Sequence, residues 1–190
     1  MRHDLPQTSQ TLGLDLRALR RARGATLVEM AQALGRSVGW LSQVERDKSD
    51  PSITDLRQIA AYFDVPVSIL FRHEAAPAQE VGFIVRAGAR RPMGSSTSGL
   101  VEELLSPDLT DDFEVVHSTF LPHSRITEAV TRPTQEVGYV MQGQLEIEIA
   151  GTAHALDVGD SFRIRGEPFR WANRTAKPAV ALWVISPPVY

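Results

Sequence analysis

Two residues of opposite charge, Arg132 and Glu136, stand four positions apart in the stretch TRPTQEVGYVMQGQLEIEI, residues 131–149. They lie just ahead of two strand-like runs that meet at Gly143, at the mouth of a predicted sheet pocket. A planar guanidinium can clamp a carboxylate or a phosphate, and a glutamate can orient that ligand or bind an amine. The same side chains could instead pair with each other, so a ligand site and a plain salt bridge are both open interpretations.

Aromatic residues in the same half of the chain offer an apolar wall for such a pocket. The wall residues are Tyr139, Phe169, Trp171 and Trp183, and the first three are candidate contacts for a small ligand, together with Arg132 and Glu136. Packing in a domain core is the competing interpretation of these rings. Further arginines border the predicted strands and would either add charge to the mouth or lie on the surface: Arg125, Arg165 and Arg170.

Length and composition indicate an ordinary globular chain with two cores. At 190 residues the chain is long for one domain and short for three. The absence of cysteine excludes a disulfide framework and a thiolate zinc site. The chain also lacks a signal-like apolar segment and any apolar run near the ~18 residues of a membrane helix, so we expect a cytoplasmic protein without a membrane partner.

Charge is distributed unevenly between the two halves. Residues 1–73 carry 10 Lys+Arg against 8 Asp+Glu, which is +2, and residues 74–190 carry 10 against 15, which is -5. This asymmetry weakly favours an anionic partner for the first half.

Apolar residues at three- and four-residue steps across residues 12–70 predict five short helices. Thr26-Leu27-Val28-Glu29 has the capping-box pattern that opens a second helix, and Ser37 is placed to cap a third. Asp50-Pro51-Ser52 opens a fourth, and Val65-Pro66 opens a short fifth. Helices two and three are separated by a short turn, which is helix-turn-helix spacing.

The stretch TLVEMAQALGRSVGWLSQVERDKSDPSITDLRQIAAYFDVPVSILF resembles the helix-turn-helix domain of the Xre/Cro family of bacterial and phage repressors, over about residues 12–71. The resemblance implies a five-helix, lambda-repressor-like bundle that binds double-stranded DNA with helix three in the major groove. It also implies an ion pair between Arg20 of helix one and Glu45 at the end of helix three.

The same resemblance assigns DNA contacts residue by residue. Gln43 on the exposed face of helix three is the candidate base reader, because glutamine can contact adenine with two hydrogen bonds. Its companions on that face are Ser37, Val38 and Gly39. Phosphate contacts would come from helix ends and basic side chains, namely Thr26, Leu27, Arg36, Lys48 and Ser49.

The second half changes to short alternating runs after residues 72–80, which lack a large apolar residue and are predicted to be a linker. Leu145, Ile147 and Ile149 alternate with polar neighbours, as in a strand with one buried face. Such runs predict an antiparallel all-β sandwich or barrel of the jelly-roll kind. They include VGFIVRAG, LVEELLS, FEVVHSTFLP, EVGYVMQGQLEIEIAG, SFRI and AVALWVIS.

The segments QEVGYVMQGQLEIEI, LDVGDSF, EPFRWAN and AVALWVISPP resemble the cupin domain, over about residues 81–190. The resemblance implies a double-stranded β-helix. Metal cupins use a His-x-His pair, a glutamate and a later histidine, whereas this chain keeps Glu136 but has Val130, Arg132 and Phe169 at the other positions. These residue types do not make a divalent metal site, so we expect no metal and no cofactor.

The combined prediction is an α+β two-domain protein with a flexible N-terminus at 1–11, a helix-turn-helix domain at 12–71, a linker at 72–80 and a cupin domain at 81–190. It resembles bacterial regulators in which a cupin senses a small molecule and helps the chain to dimerise. The predicted function is a homodimeric, non-enzymatic transcriptional regulator that reads a pseudo-palindromic operator and binds a small carboxylate or amine effector. Two alternatives stay open: a dioxygenase- or isomerase-like cupin enzyme fused to a DNA-binding domain, and a cupin that serves only as a dimer platform.

Overall fold

The structure is a computed structural model that describes residues 11–65, 67–70, 77, 79–80, 82–93, 99–107, 109 and 111–188. The predicted flexible N-terminus, apart from Thr11, and most of the predicted linker lie outside these residues. The described residues fall into two compact units, one up to Arg91 with Pro107 and Leu109, and one formed by 92–106 and 111–188. Among the described helices, none is both long and apolar enough to cross a membrane.

The described part of the first unit contains four helices of 7 to 11 residues and one further helical turn: α1 (Leu12–Ala22), α2 (Leu27–Ala33), α3 (Val38–Val44), α4 (Ile53–Phe63) and α5 (Val67–Leu70). The prediction of a fifth full helix is therefore wrong. Four residues close no more than one turn, and α5 is stabilised through burial of Ile69 and Leu70 rather than through helix length.

Side-chain caps fix where three of these helices begin. Thr26 Oγ1 accepts from the Glu29 backbone N–H at 3.2 Å, and the Glu29 carboxylate accepts from the Thr26 N–H at 2.8 Å. Ser52 and Asp55 form the same reciprocal pair at the start of α4. Ser37 Oγ accepts from a backbone N–H at the start of α3. The predicted capping residues are thus confirmed.

The helical core explains why such short helices hold. Leu16, Met30, Leu41 and Ile59, one from each of the first four helices, are completely shielded from solvent. Helices of seven residues are marginal alone, so α2 and α3 depend on this shared core for their stability.

The second unit is built from nine strands within its described residues: β1 (Arg91–Met93), β2 (Leu100–Leu104), β3 (Glu114–Phe120), β4 (Gln135–Gln142), β5 (Leu145–Ile149), β6 (Thr152–Leu156), β7 (Ser161–Arg165), β8 (Phe169–Ala172) and β9 (Ala179–Ser186), the first of which begins at the unit boundary. They form a six-stranded sheet in the order β1-β2-β3-β9-β4-β7 and a three-stranded sheet in the order β6-β5-β8. The strand pairs from β2 onward are antiparallel.

Inward-facing residues of both sheets make one apolar core, as the predicted jelly-roll type of fold requires. Val140 of β4 and Ile147 of β5 are shielded from solvent, and Trp171 of β8 packs edge-on against Phe120 of β3 with ring centroids 4.8 Å apart. The alternation predicted for β5 is confirmed at Leu145 and Ile147, which are buried, while Ile149 at the strand end is half-buried.

Gly143 connects β4 to β5 and needs to be glycine for two reasons. Its φ is +74°, which side chains rarely adopt, and a Cβ there would lie 2.6 Å from the carbonyl oxygen of Pro178. The turn between β4 and β5 is therefore fixed by the close approach of the Gly143 backbone to the Pro178 carbonyl group.

One predicted strand, VGFIVRAG, is wrong. Its described residues contain no strand, and Ala87–Ala89 forms a 3₁₀ turn instead. Phe83 is 81% exposed, so these apolar side chains have no sheet face to bury, and Gly82 at φ +74° turns the backbone away from extended geometry.

Candidate ligand cavity and nucleic-acid interface

The sandwich holds a partly open cavity of about 120 Å³ between its sheets. Val130, Arg132, Glu136 and Phe169, the four positions singled out by the cupin resemblance, all line it. Val130 and Phe169 exchange two backbone hydrogen bonds of 2.9 Å. These bonds hold the segment that precedes β4 against strand β8. The remaining lining residues are Leu100, Glu102, Phe120, Ile126, Trp171, Trp183 and Ile185.

Glu136 is the most deeply placed charged group of this cavity, with 1% of its side chain exposed. Thr134 Oγ1 donates a hydrogen bond of 2.7 Å to its Oε1. Its Oε2 is buried and accepts no hydrogen bond from the described residues. A buried carboxylate oxygen without a donor is costly, so this atom marks a place where a ligand donor or water would be favourable.

Arg132 lies farther out, with 39% of its side chain exposed. Its Nη1 is 4.0 Å from Glu136 Oε1, at the limit of an ion pair and beyond hydrogen-bond distance. The plain salt bridge that competed with a ligand site is therefore present only as a loose contact, and it leaves Oε2 unsatisfied.

Glu102 is a cavity residue that the sequence analysis missed. It lies on β2 and accepts a hydrogen bond of 3.1 Å from Ser118 Oγ on β3. Burial raises the pKa of Glu102 above its ordinary value, opposed by the Ser118 hydrogen bond and by the charge of Arg132, and reinforced by the charge of Glu136. The sequence indicates this placement, since Glu102 lies two positions from both Leu100 and Leu104, and residues two apart on a strand face the same side of the sheet.

The aromatic wall differs from the predicted one in one member. Phe169 and Trp171 line the cavity as expected. Tyr139 does not, because it is 46% exposed on the opposite side of β4 from Glu136. The two positions are three apart in the sequence, and an odd spacing along a strand places side chains on opposite faces. Trp183 lines the cavity as predicted, and its buried Nε1 donates no hydrogen bond within the described part of the chain.

The cavity does not have the composition of a metal centre. Glu102 and Glu136 are its acidic groups, and the lining set contains no histidine or cysteine. Across the described ranges, no group of three or more His, Cys, Asp or Glu side chains is placed to hold a metal ion. Two carboxyl groups without an imidazole or a thiolate supply fewer ligands than the three or four that a divalent metal needs, so these residues do not fit a divalent metal.

The other arginines considered for the mouth lie elsewhere. Arg125 and Arg170 line a separate open groove of about 360 Å³, where Arg170 pairs with Glu148 at 2.5 Å. Arg165 lines a third depression, near Ser186. These residues therefore do not add charge to the cavity of Glu136.

The helix-turn-helix unit presents a polar face on and beside α3. Val38, Gly39 and Gln43 are exposed, and so is Lys48 in the segment that follows. No acid in the described ranges forms an ion pair with the Lys48 ammonium, which leaves that charge available to an anion. The Ser37 hydroxyl, in contrast, is occupied as the cap of α3, and Ser49 is half-buried.

Two predicted phosphate contacts are engaged inside the protein. Arg36 donates to Asp55 Oδ1 at 2.9 and 2.6 Å and stacks 5.1 Å above the Trp40 ring, with 45% of its side chain exposed. The Thr26 hydroxyl donates to Glu29 at 2.7 Å, and Leu27 beside it is half-buried. These contacts help to position α2 and α3, while the Nη1 group of the half-exposed Arg36 keeps its donors for another acceptor.

The predicted pair between helix one and helix three is confirmed. Arg20 Nε and Nη2 donate to the two carboxylate oxygens of Glu45 at 2.6 and 2.9 Å, and both side chains are buried. Arg20 also donates to the carbonyl oxygen of Ala25. The end of α3 is thus fixed to α1 by a two-pronged charge-assisted contact.

Comparisons with known proteins agree with these two units. A helix-turn-helix domain family matches residues 11–68, and the cupin domain family matches residues 116–185. The HTH-type transcriptional regulator PuuR of Escherichia coli (strain K12) is 24% identical over 168 residues, which cover 86% of this chain and 88% of that protein. The HTH-type transcriptional regulator SutR of the same organism is 40% identical over 57 residues, or 30% of this chain and 32% of that protein.

Among solved structures, an HTH_3 family transcriptional regulator from Vibrio cholerae is 24% identical, with a TM-score of 0.45 over 95% of this chain and 96% of that one. The family matches cover each unit separately, and the match to PuuR runs across both. The chain is therefore a transcriptional regulator of the helix-turn-helix class with a C-terminal cupin domain.

Proposed function

We propose that the cupin cavity of this regulator binds a small molecule carrying an ammonium group. The observation that supports this is Glu136 Oε2, a buried acceptor on a residue that lines the cavity, with no hydrogen-bond donor among the described residues. An ammonium group supplies three donors and a positive charge, so it satisfies this atom in a way that water or an alcohol does only in part.

Charge distinguishes an amine from a carboxylate ligand. Glu102 and Glu136 bring two carboxyl groups to the cavity against the single guanidinium of Arg132. An anionic ligand would meet Arg132 but would also face two acids in a low-dielectric space, which is unfavourable. A cation neutralises that excess, so the amine is the favoured half of the predicted carboxylate-or-amine pair.

Size limits the ligand further. A cavity of about 120 Å³ is well below the ~300 Å³ at which pockets for drug-sized molecules begin. The apolar lining from Phe169, Trp171 and Ile185 suits a short aliphatic or aromatic body behind the ammonium group. Trp183 Nε1 offers a second contact, to a ligand that also carries an acceptor.

The test uses three probes of nearly equal size and different charge: propylamine, propionate and propan-1-ol. We expect propylamine alone to raise the melting temperature of the cupin unit in the full-length protein, because a ligand that binds the folded form stabilises it. Glu136→Gln should weaken amine binding by about 10- to 150-fold in calorimetric titration, which corresponds to the ~1.5–3 kcal/mol of a hydrogen bond to a charged group.

Glu148→Gln is the matched control, since Glu148 pairs with Arg170 in a groove outside the cavity. It should bind propylamine as the wild type does. Stabilisation by propionate that disappears in Arg132→Gln would show that the ligand is an anion and that the proposal has the wrong sign. Stabilisation by no probe would favour a cupin that serves only as a dimer platform.

For DNA we propose that the regulator binds a pseudo-palindromic operator as a homodimer, with Gln43 as the base reader and Lys48 as a phosphate contact. Both side chains are exposed beside α3, and Lys48 has no acidic partner in the described ranges. Because Arg36 and Thr26 are held by Asp55 and Glu29, we expect them to act mainly by positioning the helices.

Fluorescence anisotropy with an operator selected from random duplexes separates these roles. Gln43→Ala should reduce the preference for the selected duplex over a scrambled one by about 1–3 kcal/mol, the usual cost of a lost bidentate base contact. Lys48→Ala should weaken binding to both duplexes alike and lower the salt slope by about one. Unchanged specificity in Gln43→Ala would exclude it as the base reader.

We further propose that the cupin unit has no catalytic role. The described residues that line the cavity include two acids and one guanidinium but no serine, threonine, cysteine or histidine that could act as a nucleophile or ligate a metal. Stoichiometric iron, manganese or zinc in elemental analysis of the purified protein would contradict this and favour the enzyme alternative.

A further inference from the structure

The outer side of the six-stranded sheet carries an apolar surface that water does not favour. Val137, Tyr139 and Met141 of β4 are 46–49% exposed, and Val184 of β9 is 40% exposed. Half-buried neighbours extend this surface, which we call the outer face and define by Val115, Val137, Tyr139, Met141, Val180, Leu182 and Val184.

The register shows that the outer face is continuous rather than a scatter of single residues. Val184 pairs across the sheet with Val115 on one side and with Val137 on the other. In the next row, Leu182 pairs with Tyr139 on one side and with His117 on the other, where His117 lies 3.7 Å from Glu103 and ends the apolar face toward β2. Paired positions are about 5 Å apart and successive rows about 7 Å apart, so these side chains contact one another and form one patch.

Other strands of this unit show what a solvent-facing sheet surface looks like. The outward positions of β5 are Glu146 and Glu148, and those of β7 are Ser161, Arg163 and Arg165. An antiparallel sheet with one wet face normally places polar residues there. Strands β4 and β9 depart from that rule, which indicates that a partner covers them.

We propose that the outer face is where two copies of this chain meet to form the homodimer. The inference rests on the dimer of the proposed function and assigns it a surface. Charges at the rim favour a second copy over an unlike partner, because Arg163 lies on β7 along one edge and Glu103 lies on β2 toward the other. A two-fold axis parallel to the strands brings β7 of one copy over β2 of its partner. The symmetry repeats this arrangement, so Arg163 of each copy faces the β2 strand that carries Glu103 in the other.

That arrangement fixes the direction of the axis. An axis running across the strands would instead lay β7 on β7 and place Arg163 and Arg165 against their own copies. Like charges facing each other in an interface are unfavourable, so only the first axis is self-complementary.

The area is sufficient for a stable dimer. Five strands, from β2 to β7 in sheet order, span about 24 Å at ~4.8 Å per strand, and seven to eight residues of the central strands span about 25 Å. This gives about 600 Å² per copy and about 1,200 Å² in the dimer, which reaches the range of specific interfaces. Tyrosine and methionine are also residue types that interfaces favour.

The first test is Val137→Glu in the full-length chain, measured by sedimentation velocity. Because Val137 is half-exposed, the substitution should leave the circular dichroism spectrum of the folded chain unchanged while weakening dimerisation by at least about 100-fold. The matched control is Val158→Glu, which makes the same change at a 60% exposed position in the β6–β7 turn. We expect the wild type and the Val158→Glu control to sediment as dimers, at twice the chain mass of 21.0 kDa. Val137→Glu should sediment as a monomer of 21.0 kDa.

A charge exchange tests the axis. Arg163→Glu and Glu103→Arg should each weaken the dimer, and the double variant should recover most of the wild-type dissociation constant. A dimer that survives Val137→Glu, or single charge variants that are not rescued by the double, overturns the proposed face while leaving the homodimer intact. A wild-type chain that stays monomeric overturns both, so the two failures are distinguishable.

Discussion

The buried ion pair between Arg20 and Glu45 gives the sharpest stability prediction for the helix-turn-helix unit. Glu45→Met removes both acceptors and leaves the guanidinium, whose side chain is 10% exposed, with the Ala25 carbonyl as its main partner. Removing one member of a buried ion pair costs about 3–5 kcal/mol. In a domain of this size each kcal/mol lowers the melting temperature by about 4–8 °C, so we expect a loss of at least about 12 °C.

Circular dichroism at a helix-sensitive wavelength monitors this unit selectively, because the other unit is made of strands. The control is Glu146→Met in the strand unit, which removes an acceptor pair of nearly the same geometry, 2.8 and 2.6 Å from Arg174, on an exposed surface, and whose unfolding is followed at a strand-sensitive wavelength. We expect little measurable effect there, since solvent screens exposed pairs.

A double variant, Arg20→Met with Glu45→Met, distinguishes charge from shape. Well-packed apolar residues often replace a buried ion pair without loss, so the double variant should recover most of the stability that the single variant loses. If Glu45→Met costs no more than Glu146→Met, or if the double variant is as unstable as the single, burial of an unpaired charge is not the reason for the effect.

Two further predictions concern stability. Gly13→Ala should lower the melting temperature of the helical unit, because its Cβ would lie 2.3 Å from the Val44 carbonyl oxygen. Gly39→Ala is the control, since its Cβ meets nothing nearer than 4.0 Å and alanine should stabilise α3 by up to about 1 kcal/mol. Equal effects of the two substitutions in thermal melts would contradict the close contact of α1 with α3. Burial raises the pKa of Glu102 above its ordinary value of 4.5, so its contribution to the stability of the cupin unit is fully present below about pH 4.5 and is lost as pH rises through the folded value. Glu102→Gln should remove that loss in urea unfolding at a series of pH values, and an unchanged pH slope would contradict it.

Local sequence signals predicted the helical unit well. The caps of α2, α3 and α4 follow from residues within three positions of each other, so the necessary chemistry is visible in the sequence. The fifth helix was overestimated, because a start signal at Pro66 says nothing about how many residues the bundle can cover beyond it. Arg36 shows a related limit, since only the folded unit brings Asp55 within 2.6 Å of it.

The cavity was predictable in part. Alignment to the cupin pattern brought Val130, Arg132, Glu136 and Phe169 together correctly. Tyr139 was misplaced, although its strand parity relative to Glu136 is visible in the sequence and puts it on the opposite face of β4.

Glu102 is a different kind of miss. It precedes Glu136 by more than thirty residues, and it enters the cavity only because β2 pairs with β3. No local pattern specifies that pairing, nor does any pattern reveal that Glu136 Oε2 accepts no hydrogen bond from the described residues.

The composition of the cavity has a consequence for how a ligand would be sensed. When both carboxyls are ionised, they exceed the charge of Arg132 by one, and an ammonium ligand or a proton on Glu102 can each neutralise the excess. Ligand and proton therefore compete for the same charge, and a bound ammonium lowers the pKa that burial has raised. We expect propylamine to bind more weakly as the pH falls through the pKa of Glu102 and to release a proton on binding, which calorimetry in buffers of different ionisation enthalpy measures. Glu102→Gln should abolish the proton release while amine binding through Glu136 persists, and release that continues in this variant would place the titrating group elsewhere.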